Sequence, residues 1–115
     1  MNVDLVTDHY LVAALWTAYD PDTMEPLVAD IWEFTPEARE RASEDIRAFL
    51  GMAEGESLPM SPEQLGHDLW LTRNHHGAGF WDRGYGPLGE RLTALAHSLG
   101  EMNVYRNDDG KLDME

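Results

Sequence analysis

Cysteine is absent from this 115-residue chain. That removes disulfides, thiolate metal sites and a cysteine nucleophile, and it leaves stability to packing. Also missing is any run approaching the roughly 18–20 apolar residues that a bilayer-spanning helix needs. The opening MNVDLVTDHY carries no basic segment ahead of an apolar one, so the expectation is an unprocessed, soluble, cytoplasmic protein. With 43% apolar and 26% charged residues, the length suits a single domain, 1–115, built on one core. No internal repeat or low-complexity segment is present.

Basic side chains are the second scarcity. Against 22 Asp and Glu stand 8 Lys and Arg, a formal net charge of −14. Residues 1–65 hold 14 acids and 3 bases, whereas residues 66–115 hold 8 and 5. No Lys or Arg precedes Arg39, while Asp4, Asp8, Asp20, Asp22, Glu25, Asp30, Glu33 and Glu37 all do, and a second base-free stretch runs from Ala48 to Thr72. Such a surface repels phosphate and anionic lipid, which disfavours direct binding to nucleic acid or membrane and points to a basic protein partner. One reading is that the acidity only keeps a small protein in solution. A sharper one is mimicry of a nucleic acid, because carboxylates at i and i+4 of a helix stand roughly 6 Å apart, close to the phosphate spacing along one strand.

Punctuation and periodicity lay out the elements. Apolar residues from Leu5 to Tyr19, nearly all round after Tyr10, predict a buried central helix over 4–19. Asp20-Pro21 ends it, since a residue before proline is pushed out of helical dihedrals. Leu27 to Phe34 reads as a short helix. Thr35-Pro36-Glu37 starts a helix over 36–53 whose stripe is Ala42, Ile46, Phe49, Leu50 and Ala53, and Ser61-Pro62-Glu63-Gln64 starts another that ends near Arg73 with Leu65, Leu69 and Trp70 inward. Gly77-Ala78-Gly79 breaks the chain, Phe80 to Arg83 reads as a strand, and a helix over 88–99 ends at Gly100. Met102, Val104, Leu112 and Met114 then predict two strands around a three-residue loop with Gly110 in a left-handed bulge, Val104 facing Met114 and Arg106 facing Leu112. The expected fold is α+β: a helical N-terminal layer of three to four helices packed on a small three-stranded sheet formed by the C-terminal third.

Chemistry-bearing residues are densest between Gly66 and Arg83. A metal-assisted hydrolase would take His67, Asp68, His75 and His76 as ligands, because imidazole and carboxylate suit zinc, iron or manganese. The run lacks the i, i+4 spacing of HExxH helices, and His67 and Asp68 diverge by about 100° on a helix. The alternative is that Asp68 neutralises Arg73 or Arg83 across the junction between elements while the histidine pair lies at the surface. No serine sits in a Gly-x-Ser-x-Gly elbow, and Gly77-x-Gly79 has no following lysine or helix to cradle phosphate. No catalytic residue, cofactor or metal is therefore assigned. Trp16, Trp32, Trp70 and Trp81 could line a ligand pocket, but four large aromatics in a small domain are expected to form core.

GHDLWLTRNHHGAGFWDRG, followed by PLGERLTALAHSLGEMNVYRNDDGKL, resembles a family of small proteins encoded by bacteriophages, prophages and actinobacterial mobile elements, whose members typically read GHDFWLTRNGHGAGFWDR. The similarity spans residues 60–113 and, more loosely, the helix that starts at FTPEA. His75 stands where that pattern has glycine, the residue that most readily takes a positive φ. The resemblance implies a mobile-element origin, and small acidic phage proteins are often inhibitors of host machinery, including anti-CRISPR and anti-restriction factors. It carries no catalytic residues with it.

Charge and resemblance together give the expected function. The protein is read as a non-enzymatic phage-derived inhibitor of the anti-CRISPR or anti-restriction type, acting in the host cytoplasm. It would cover a basic nucleic-acid-binding surface of a host defence complex through Asp20, Asp22, Glu25, Asp30, Glu33, Glu37, Glu40 and Glu44. The alternatives are the metal-assisted hydrolase above and a phage regulatory or virion interaction module.

Overall fold

Helix starts follow capping chemistry. A computed structural model describes residues 1–76 and 79–115, which hold four α-helices: α1 (Val3–Thr17), α2 (Pro36–Met52), α3 (Pro62–Arg73) and α4 (Pro87–Ser98). Asn2 caps α1 by accepting from the Leu5 amide. Thr35 accepts from the Ala38 amide at 3.0 Å, and Ser61 from the Gln64 amide at 3.1 Å. Each of these oxygens satisfies a donor that the first helical turn leaves open. Helix α4 enters instead from Gly86 at φ 61° with Pro87 in its first turn, and Gly100 at φ 79° follows its end. Gly77 and Ala78 of the expected glycine-rich break lie outside the described residues.

Helix α1 is central, packed chiefly on α3 and then on α2. Its backbone touches that of α3 at Gly66, where a methyl group would collide with the Val6 carbonyl oxygen and stand 2.8 Å from the Tyr10 nitrogen. Tyr10 and Trp70 meet edge to face at 5.2 Å, and the Trp70 indole donates to the Thr17 hydroxyl at 2.8 Å. Leu11, Ile46, Phe49, Leu65, Leu69, Phe80, Leu92 and Leu112 are completely buried. The α2 stripe faces this core as its spacing predicts, with Leu50 at the margin.

The C-terminal residues form a hairpin of β1 (Val104–Arg106) and β2 (Leu112–Met114), antiparallel, with Val104 opposite Met114 and Arg106 opposite Leu112. Gly110 has φ 78°, and the Asn107 side chain accepts from the Asp109 and Lys111 amides across the loop. Helices and a small antiparallel sheet make the α+β class, but the expected three-stranded sheet is corrected to two strands. Phe80–Asp82 is a 3-10 turn. Its amides are engaged locally, the Asp82 carboxylate accepting from the Gly79 amide and the Phe80 amide donating to the Thr72 hydroxyl, which favours a turn over a strand. Phe80 instead enters the core and stacks on Phe49 at 5.6 Å and 6°. The position beside the hairpin goes to Phe34, which makes one parallel bridge to Leu112, reinforced by the Thr35 amide donating to the Leu112 carbonyl.

The short helix expected over Leu27 to Phe34 shrinks to one 3-10 turn, Ile31–Glu33. Residues before it are drawn into a loop closed by the Tyr19–Pro26 bridge and by the Leu27 amide donating to the Ala18 carbonyl. Among the described residues no helix is long and apolar enough to cross a membrane.

Candidate protein-binding surface

Between Gly66 and Arg83 the side chains of Asp68, Thr72, Arg73 and Asn74 are engaged inside the fold. Asp68 is fully buried on α3; its two carboxylate oxygens accept from the Arg83 guanidinium at 2.9 and 3.2 Å, and the Gln64 amide donates to one of them at 2.8 Å. That hydrogen bond holds the Arg83 guanidinium above its ordinary pKa. Of the two partners foreseen for Asp68, Arg83 is the one the fold supplies. Arg73, 1% exposed, has a different task. It donates to the Tyr10 hydroxyl of α1 at 2.8 Å, to Asp45 of α2 at 2.7 Å, and to the carbonyls of Leu99 and Gly100 at the end of α4 at 3.0 and 2.8 Å. A cation at a helix C-terminus meets the negative end of the dipole and the carbonyls left without intrahelical donors. Burial pushes the Tyr10 phenol up to about 12, with the Arg73 charge pulling the other way. Asn74 accepts from the Met102 amide at 2.8 Å and thereby ties the end of α3 to the approach of the hairpin.

The four residues of the metal reading do not assemble. His67 meets Trp16 edge to face at 5.0 Å, Asp68 is enclosed by Arg83 and Gln64, and His75 lies 4.2 Å from the His97 ring with Glu101 at 3.9 Å. Among the described residues no group of three or more His, Cys, Asp or Glu side chains is placed to hold a metal ion. His75 and His76 are exposed, as expected, and His75 has φ 58°, the conformation suited to the glycine of the resembling pattern.

The eight acidic residues divide by surroundings. Asp20 accepts from the Asp22 and Thr23 amides and shapes the loop after α1. Asp30 accepts from the Ile31 amide, while Glu33 accepts from the Asp30 amide at 2.7 Å and from Arg106 at 3.2 Å. The Asp30 amide, and then Arg106, hold the Glu33 carboxyl below its usual range. Asp22, Glu25, Glu37, Glu40 and Glu44 are exposed, and among the described residues none of the five forms an ion pair. Glu37, Glu40 and Glu44 lie at i, i+3 and i+7 of α2, one stripe along about 10 Å of axis. Arg41 lines the same shallow surface, and its guanidinium is engaged by Asp45 at 3.4 Å. The other acids closest to bases, Asp8 with Arg39 and Glu56 with Arg91, lie outside the predicted set.

The tryptophan expectation needs correction. Trp70 is core, but Trp16, Trp32 and Trp81 are 72%, 79% and 58% exposed. Helix α1 looks apolar all round in sequence, yet α2 and α3 cover only part of it, and Trp16 projects from the remainder. No composition signal marks this, because an exposed and a buried tryptophan are the same letter. No match to a family model, to a curated protein or to a solved structure was found for this chain.

Proposed function

We propose that the protein is a non-enzymatic, acidic binding protein that occupies a basic, nucleic-acid-binding surface of another protein, the target being a host defence nucleoprotein complex of the kind that the phage-protein resemblance implies. One observation carries this reading: Asp22, Glu25, Glu37, Glu40 and Glu44 stand in solvent without cationic partners among the described residues. An unneutralised carboxylate stripe on a rigid helix attracts a basic cleft over a Debye length of about 8 Å at physiological salt. The internal use of Asp68, Arg73, Arg83 and Asn74 supports a structural role for the densest motif and favours binding over catalysis.

The test is affinity purification from host lysate at low and high salt, followed by competition between the captured protein's nucleic acid and the acidic protein. Glu37→Lys, Glu40→Lys and Glu44→Lys combined should leave the helical circular dichroism intact, abolish capture and relieve the competition. Capture that survives high salt, or that the triple variant retains, would overturn the proposal.

A further inference from the structure

The exposed apolar side chains are not spread evenly. Of the nine large ones among the described residues, Trp16, Tyr19, Met24, Val28 and Trp32 fall within seventeen consecutive positions. Trp32 is 79% exposed and Val28 90%. Two of the five, Trp16 and Trp32, line the same groove, and a contiguous exposed apolar surface marks an interaction site. Between Trp16 and Trp32 runs a groove of about 260 Å³, floored by Val12 and Leu15 of α1 and by Ile31 of the 3-10 turn. Asp30 stands in its wall, Glu33 follows, and α1 ends at Thr17, one residue beyond Trp16, from where the chain enters the loop carrying Asp20, Asp22 and Glu25. Met24 in that loop holds φ 58° with its side chain 74% exposed, a conformation that unbranched non-glycine residues adopt at a cost.

The cations nearby are already engaged. Arg106 donates to Glu33 and to the Gly110 carbonyl and reaches the Val28 carbonyl at 3.5 Å, and Arg83 is held by Asp68. The groove is apolar apart from Asp30, whose carboxylate forms no ion pair among the described residues, and the complementary occupant is apolar at its tip and positive beside it. Exposed indoles also favour guanidinium ions over their faces.

We propose that this groove receives a bulky aliphatic side chain from an arginine-bearing helical segment of the partner protein, with Trp16 and Trp32 as the two walls. The proposal rests on the binding function above and adds a non-electrostatic anchor to it. Burying tryptophan around an inserted apolar side chain, with charges at the rim, is the usual composition of an energetic hot spot.

The probes are three synthetic helical peptides: one with arginines flanking a central leucine, one of equal charge with alanine in its place, and one with the leucine but glutamines for arginines. Binding is followed by the indole N–H resonances of Trp16 and Trp32. The leucine–arginine peptide should bind about tenfold or more tightly than its alanine counterpart, as full burial of one leucine predicts, and should shift both indole signals. Trp16→Ala with Trp32→Ala should erase that preference, weakening the leucine–arginine peptide far more than the alanine peptide, which loses only its guanidinium contacts with the indoles. The Glu37, Glu40 and Glu44 reversal should weaken both charged peptides and keep the preference. Equal affinity for the two charged peptides removes the groove proposal and leaves the electrostatic one standing, whereas binding of neither removes both. Tight binding of the glutamine peptide, concentration-dependent dimerisation that buries the two indoles, or their insertion into zwitterionic phosphatidylcholine vesicles would each overturn the assigned occupant.

Discussion

Arg73 joins all four helices through one planar group, and its replacement is correspondingly severe. Arg73→Met would leave the Tyr10 hydroxyl and the α4 terminal carbonyls without their donor, and Asp45, partly buried, with Arg41 alone at 3.4 Å. Loss of one partner from a buried pair costs about 3–5 kcal/mol, readable as a fall in the urea midpoint. Arg73→Lys should recover only a fraction, because an ammonium cannot present donors to four acceptors in the planar geometry of a guanidinium. The same cluster makes the protein alkali-sensitive. The Tyr10 phenol ionises at about 12 in the fold against 10.0 for an ordinary tyrosine. The folded state thus holds the proton more tightly, so this contribution is complete below pH 10 and is lost as pH rises through 12. The difference corresponds to roughly 3 kcal/mol at most. Tyr10→Phe should lower stability at neutral pH by about 1 kcal/mol through the lost hydrogen bond, yet flatten the decline between pH 10 and 12. Denaturant titrations across that range give both numbers. Asp68 with Arg83 could be read in the sequence as one of two alternatives. The Arg73 partners could not, since Tyr10, Asp45 and Gly100 lie 63, 28 and 27 residues from it.

Close contact between α1 and α3 depends on Gly66, because a side chain there would meet main chain that cannot rotate away. Gly66→Ala gains helix propensity but should still destabilise by about 1–3 kcal/mol through overpacking, seen as a lower thermal midpoint. In the hairpin, Gly110→Ala forces an L-residue into the left-handed region at about 1–2 kcal/mol; the β1–β2 amides should then exchange faster while those of α1 and α3 keep their protection. This hairpin was legible down to its register, since alternation, a loop of fixed length and one glycine are all local signals. The strand expected at Phe80 to Arg83 was not. Two aromatic and two charged residues beside glycines fit a strand or a tight turn equally well, and Thr72 and Asp82, by capturing the Phe80 and Gly79 amides, select the turn.

A net charge of −14 on 115 residues acts on folding and binding in opposite senses. Added salt screens self-repulsion within the folded protein and should raise its thermal midpoint, while the same screening should weaken the proposed complex with a basic partner. Thermal scans and binding titrations over one salt series test the two together. A midpoint that falls with salt would mean that ion pairs such as Arg39–Asp8 and Arg91–Glu56 outweigh the repulsion. The reversal at Glu37, Glu40 and Glu44 should itself raise the midpoint modestly, separating its effect on binding from any damage to the fold.

The capped starts of α2 and α3, the hairpin register and the run of acids at 20–44 are contained in the order of residues, because each depends on hydrogen bonds or charges a few positions apart. Coverage is a different matter. Whether Trp16 lies in the core or in water depends on how much of α1 is reached by α2 and α3, elements that begin nineteen and more residues later. Similarly, the 22 acids are counted from composition, but which of them stay unpaired follows from where seven arginines and one lysine arrive once the helices have packed. Packing joins residues distant along the chain, and that is why the exposed indoles and the unneutralised α2 stripe emerge only from the folded molecule.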